Sequence, residues 1–132
     1  AVMGDFRADN ALMEEEPYPS FDRFKGDMVD MEDQFFGPLY TALYKSILSA
    51  NNVIENASSA SQVGEAKFLR ALSYFKLVRV FGDVPINLTA TPSTTDNSIL
   101  ARQPVSNVYS VIVSDFEGLI VLDFEGINCI KF

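Results

Sequence analysis

The chain has 132 residues, of which 48% are hydrophobic, and carries a formal net charge of −8. This size and apolar content suit one domain with one core. Because the ten basic residues are scattered, we expect no nucleic-acid partner. The sequence contains no histidine, which removes the usual general base and the usual zinc ligand, and its single cysteine, Cys129, excludes an internal disulfide. We therefore expect no catalytic residue, no metal site and no cofactor.

No apolar run reaches the roughly 20 residues of a membrane helix.

Residues 1–37 mix acidic, aromatic and proline residues without a sustained period, so this segment is predicted to be rich in loops. The acids between Asp27 and Asp33 could suggest a calcium site. They lack the alternate spacing and central glycine of an EF-hand loop, and a solvated acidic loop is the interpretation we favour.

Aromatic side chains in the same segment are candidates for binding sugar rings, since an aromatic face can stack on the apolar side of a pyranose. Tyr18, Phe24 and Phe35 are the three candidates. Tyr18 lies between Pro17 and Pro19, in a stretch that cannot form regular structure. For the phenylalanines, packing in the core is the alternative, and we favour it.

A helical hairpin is predicted over residues 38–81. In the first helix, the apolar residues recur every three or four positions: Leu39, Leu43, Ile47, Ala50, Ile54 and Ala57. In the second helix, the predicted apolar stripe consists of Phe68, Ala71, Leu72, Phe75 and Val78, and the charged residues flanking it for solvent or partners are Glu65, Lys67, Arg70, Lys76 and Arg79. The polar link at residues 58–61 is short, which makes the helices antiparallel neighbours.

The second helix is predicted to end near Phe81. Gly82 can take the left-handed conformation that closes a helix, and Pro85 prevents its continuation. Residues 82–103 are predicted to form a loop with a polar surface segment at 87–98. A last helix is predicted over 104–120, on apolar positions Val105, Val108, Ile112, Phe116 and Leu119, although β-branched residues would also permit a strand there.

Four segments together resemble the SusD/RagB family of outer-membrane nutrient-binding lipoproteins. The sequence GEAKFLRALSYFKLVRVFGDVP at 64–85 is similar to that family's most recognisable helix, and LYKSILSANNVIENA at 43–57 is similar to the helix before it. ARQPVSNVYSVIVSDFEGL at 101–119 resembles the next family segment, and VMGDFRADN at 2–10 the approach to this region. The resemblance extends to about Leu119, and residues 121–132 form a divergent tail.

The resemblance implies an all-α fold of tetratricopeptide-like helical hairpins with long irregular loops. It also implies a cell-surface protein of Bacteroidetes-type bacteria that captures a nutrient, which we interpret as a glycan, and delivers it to a TonB-dependent transporter of the SusC type without catalysis. Members are lipid-anchored on the extracellular face of the outer membrane and run to several hundred residues. We therefore expect this chain to be a fragment, ended by truncation or by a frame change near Leu122, with its lipid anchor outside these residues.

The residues that match the family's structural signature are Asn51, Arg70, Gly82, Asp83 and Pro85. A partly buried arginine must be paired, so we predict that Asn51 and Arg70 lock the hairpin to the loop at Gly82 and Asp83. The alternative function is a free-standing helical-repeat scaffold for protein–protein interaction, which would bind peptides between its hairpins. A glycosidase built on paired carboxylates is disfavoured, because the acidic cluster lies in an irregular segment.

Overall fold

The computed structural model of the chain describes residues 35–92 and 100–124, the last six as backbone only. By its internal contacts the chain divides into two compact units, residues 1–39 and residues 40–132. Three helices make up the described part: α1 (Gly37–Asn56), α2 (Ala60–Phe81) and α3 (Val105–Phe124). Within these residues the only extended pairing is an isolated bridge between Val84 and Gln103. The all-α prediction is confirmed.

Helices α1 and α2 run antiparallel across a three-residue link. Successive contacts show the direction: Tyr40 meets Phe81, Ser46 meets Ser73, and Asn51 meets Arg70. The stripe predicted for α1 is confirmed, since Leu43, Ile47 and Ala50 are buried. Helix α2 packs most closely against α3, which is antiparallel to it in turn.

The buried face predicted for α2 was partly wrong. Ala71 and Val78 are buried as expected, but Phe68 is exposed. Arg70, predicted to be partly buried and paired, is buried. Tyr74 and Leu77 are fully buried instead. The physical reason is that α2 has neighbours on more than one side, so its buried surface is wider than one stripe and is set by those neighbours.

Helix α2 ends at Phe81, as predicted, and Gly82 has the expected positive φ of 70°. Its N–H donates to the carbonyl of Val78 at 3.0 Å. The ψ of −124° differs from that of the left-handed helix that we predicted, so the chain turns sharply into an extended segment. We call residues 84–92, which follow this turn, the strap. No atom lies within 4 Å of the place where a Cβ would stand, so backbone conformation alone requires glycine here.

The first residue of the strap, Val84, is paired with the segment that precedes α3. The carbonyl of Val84 accepts a hydrogen bond from the N–H of Gln103 at 3.0 Å, and the Val84 side chain is buried. Part of the strap was predicted to be a surface loop, and Leu88 is indeed exposed. The neighbouring Asn87, however, is held by side chains of α1 and α2.

Residues 105–124 are helical, which resolves the choice between helix and strand. The helix starts one residue after Pro104, whose carbonyl accepts from the N–H groups of Asn107 and Val108, and it continues four residues beyond the predicted end. Val108 and Ile112 are buried as predicted, whereas Val105 is exposed. None of the helices in the described ranges is both long and apolar enough to cross a membrane.

Candidate functional site

A buried arginine joins the three helices. The Arg70 guanidinium on α2 donates from Nε to Asp115 Oδ2 at 2.8 Å and from Nη2 to Asp115 Oδ1 at 2.6 Å. Its Nη1 donates to Asn51 Oδ1 on α1 at 2.8 Å. Arg70 is 7% exposed and Asp115 is 4% exposed. This two-point pairing is the geometry in which a guanidinium and a carboxylate bind most strongly.

Asn51 carries the network from the arginine to the strap. While its Oδ1 accepts from Arg70, its Nδ2 donates to the carbonyls of Asn87 at 3.1 Å and Thr89 at 3.0 Å. The amide therefore uses both ends, and these partners determine which way it faces. Every buried side-chain nitrogen and oxygen in the described ranges has a hydrogen-bond partner.

Two tyrosines hold the strap beside this network. Tyr74 Oη donates to the Asn87 carbonyl and accepts from the Asn87 N–H, both at 2.8 Å. Tyr44 Oη donates to the Pro85 carbonyl at 2.6 Å. Burial raises the pKa of Tyr74 to about 12, and burial, followed by a hydrogen bond with Tyr40, raises the pKa of Tyr44 far above its usual range. Both hydroxyls stay protonated and serve as structural donors.

The acidic residue of the Gly82–Pro85 turn has a separate role. Asp83 Oδ1 accepts a hydrogen bond from the N–H of Val105 at 3.0 Å. This N–H opens α3 and has no partner within the helix, so Asp83 caps a helix that begins 22 residues later. A carboxylate at this position also interacts favourably with the helix dipole.

The predicted lock thus has different partners from those expected. Arg70 pairs with Asp115 on α3, and Asn51 binds the strap at Asn87 and Thr89 instead of the turn at Gly82 and Asp83. Sequence reasoning missed Asp115 as a partner. A signal was present, since Val108, Ile112 and Asp115 follow one another at spacings of four and three, and an acid on an apolar stripe needs a buried partner.

An open groove of about 550 Å³ lies along the other side of the α1–α2 hairpin. Small residues, amides and hydroxyls line it: Ser46, Ser49, Ala50, Asn52, Val53, Asn56, Ala57, Gln62, Glu65, Ala66 and Leu69. These groups can offer hydrogen bonds and a shallow apolar floor. The lining includes no aromatic ring on which a sugar could stack.

The candidate aromatic residues cannot be placed together. Tyr18 and Phe24 lie outside the described residues, as do the acids between Asp27 and Asp33. Phe35 is half-buried just before α1. Within the described ranges no group of three histidine, cysteine or acidic side chains could hold a metal ion.

Comparison with known proteins places these helices in a wider context. The family model described as "Starch-binding associating with outer membrane", of the SusD-like type, matches residues 2–122. "SusD-like protein P38" of Formosa agariphila is 31% identical over 119 residues, a match that covers 86% of this chain and 24% of that protein. "SusD-like protein P2" of the same organism is 30% identical over 82 residues, covering 56% of this chain and 16% of that protein.

No solved structure matches the chain. The chain spans about a quarter of the length of the P38 protein. The residues matched by the family model include α1, α2 and the three residues of the buried network, Asn51, Arg70 and Asp115. The family model covers far more than half of the sequence. The chain therefore belongs to the SusD-like family, whose members are described as starch-binding and associated with the outer membrane.

Proposed function

We propose that this chain is part of a cell-surface protein that binds a glycan and delivers it to a TonB-dependent transporter of the SusC type, without catalysing a reaction. The protein is lipid-anchored on the extracellular face of the outer membrane. The observation that carries this proposal is the family match through residues 2–122, supported by relatives that bear the SusD-like name.

The geometry of the described residues supports a scaffold role for them within that protein. Their buried charged pair, Arg70 and Asp115, is fully engaged in joining α2 to α3, and Asn51 and Tyr74 are engaged in holding the strap. The hydrogen-bonding groups of these side chains are thus occupied by partners within the chain. We propose that the helices present binding surfaces formed elsewhere in the protein and do not themselves contact the glycan.

Glycan binding is tested by isothermal titration calorimetry of the complete protein, including all coding sequence continuous with this chain. The titrants are maltoheptaose, as the starch probe, and a panel of neutral oligosaccharides with other linkages. Saturable binding of at least one glycan is expected. Absence of binding to the whole panel, in a folded protein, would contradict glycan capture.

Delivery to a transporter is tested by purification of the tagged protein from the outer membrane of its native cells. Co-purification of a SusC-like barrel in near-equal amount is expected, together with loss of growth on the bound glycan when the gene is deleted. Metabolic labelling with a radioactive fatty acid and protease treatment of intact cells test the anchor and the extracellular face. If the protein instead recovers peptides and no barrel, the helical-repeat scaffold becomes the better hypothesis.

A further inference from the structure

The strap is held by hydrogen bonds to α1 and α2, and these bonds are connected to Asp115 of α3. Its carbonyls at Asn87 and Thr89 bind Asn51 of α1, and Asn87 also binds Tyr74 of α2. Asp115 of α3 is connected to the strap by hydrogen bonds through Arg70 and Asn51. We propose that Asp115 positions the strap through these two side chains, so that α3 and the strap dock onto the α1–α2 hairpin as one unit.

The first step of this relay is the orientation of the guanidinium. Asp115 receives Nε and Nη2 at 2.8 and 2.6 Å, and these two parallel bonds fix the plane of the Arg70 side chain. Its remaining Nη1 is thereby aimed at Asn51 Oδ1, 2.8 Å away. A single-point contact would leave the plane free to rotate.

The second step is the orientation of the amide. Because Arg70 only donates, it holds the oxygen end of Asn51 and leaves the nitrogen end facing the strap. The two strap carbonyls only accept, so a flipped amide would set oxygen against oxygen there. The donor at Arg70 therefore decides whether Asn51 attracts or repels the strap.

A second connection joins α3 to the start of the strap. Asp83, the residue before the strap, caps α3 at Val105, and Val84, its first residue, pairs with Gln103 just before that helix. When α3 leaves the hairpin, both the start of the strap and the orientation of Asn51 are released. This arrangement makes docking of the two elements cooperative.

Hydrogen exchange of two strap amides tests the relay in the full chain: the Asn87 N–H donates to Tyr74 Oη at 2.8 Å and the Ala90 N–H donates to Glu55 Oε1 of α1 at 2.7 Å. Asp115→Asn breaks the two-point pairing, and we expect exchange at Asn87 to accelerate by about tenfold or more, since a bond to a charged group is lost. Glu117→Gln removes a carboxylate from the exposed side of the same helix and should leave these rates unchanged. Equal rates in Asp115→Asn and the unaltered protein would overturn the proposal.

Two further variants separate the relay from a general loss of stability. Ile112→Ala weakens the packing of α3 without touching the polar groups, and should accelerate strap exchange less than Asp115→Asn at a matched loss of overall stability. Asn51→Ala should release the strap amides while those of α3 stay protected, and this variant serves even if Asp115→Asn does not fold. The relay is refuted if Ile112→Ala releases the strap as much, or if Asn51→Ala leaves it protected.

Discussion

The two sides of the α1–α2 hairpin differ in a way that reverses the usual rule of burial. On the side that faces α3 and the strap, a charged arginine and an amide, Arg70 and Asn51, lie in the core. On the groove side, Val53 and Leu69 are exposed. Arg70 and Leu69 are adjacent in the sequence, yet the arginine is 7% exposed and the leucine is 51% exposed.

The difference shows that burial of Leu69 and Arg70 follows the partners available to each side chain and not its polarity. Arg70 is buried because Asp115 and Asn51 satisfy its donors, which offsets the cost of removing the charge from water. Leu69 stays exposed because, within the described part of the chain, no element covers the groove that it lines. Within the described residues, the α1–α2 hairpin is therefore packed against other elements on the side of α3 and the strap, and exposed on the groove side.

The largest expected effect comes from Arg70→Ala, which leaves the Asp115 carboxylate buried without a cation. Breaking such a pair costs about 3–5 kcal/mol of the free energy of unfolding, and urea denaturation measures it. Lys76→Ala, at an exposed lysine of the same helix, should change it by less than about 0.5 kcal/mol. A double replacement by apolar residues, Arg70→Met with Asp115→Leu, should recover much of the loss. Unchanged stability of Arg70→Ala would show that the polar side adds nothing.

The next effect compares two leucines of α2 on opposite sides of the contrast. Leu77 is fully buried, so Leu77→Ala should lower the free energy of unfolding by about 2–5 kcal/mol. Leu69→Ala, the same change at the exposed groove residue, should cost less than about 1 kcal/mol. Thermal and urea denaturation of both variants provide the comparison. Similar losses of stability would mean that the Leu69 side chain is covered in solution and contributes to a core.

A smaller effect is expected where Asp83 caps α3 from the turn after α2. Asp83→Ala removes the acceptor for the Val105 N–H and should cost about 0.5–2 kcal/mol, measured by urea denaturation. Asp83→Asn keeps a side-chain oxygen and should retain most of the stability. If the alanine and asparagine variants prove equally destabilised, the contribution is the charge of the carboxylate and not the cap.

The last effect appears only at alkaline pH. The folded pKa of Tyr74 is raised to about 12 from an ordinary value of 10.0, so between these values the folded protein retains a proton that the unfolded chain loses. Stability should therefore be fully present below pH 10 and fall as pH rises toward 12. Tyr74→Phe should make this fall less steep in denaturation series across that range without abolishing it, because burial also raises the pKa of Tyr44. Tyr109→Phe, at an exposed tyrosine, is the matched control. A fall of equal steepness in both variants would contradict the assignment.

The periodic segments were predictable to a useful degree. In α1 the apolar positions every three or four residues identified both the helix and its buried side, since Leu43 and Ile47 are core residues. Gly82 and Pro85 predicted the end of α2, because glycine readily adopts the positive φ found after a helix and a proline prevents the helix from continuing. In α2 the same reasoning gave the helix but misjudged its orientation, as exposed Phe68 shows.

The polar network could be predicted only in part. Burial of a paired Arg70 was expected, but its partner Asp115 lies 45 residues away, and no local pattern specifies which two distant positions meet. The cap from Asp83 to Val105 was missed for the same reason. The candidate aromatics Tyr18 and Phe24 lie outside the described residues and stay predictions.

The sequence by itself determined the all-α class, the ends of the hairpin and the family, because each depends on residues that are neighbours along the chain or on a motif of fixed spacing. The tertiary structure decided which face of α2 is buried, which acid pairs with Arg70, and where the strap lies. These depend on long-range contacts, in which hydrogen-bond geometry selects one partner among several of the same chemical type. Adjacent Leu69 and Arg70 therefore take opposite environments that local pattern alone could not assign.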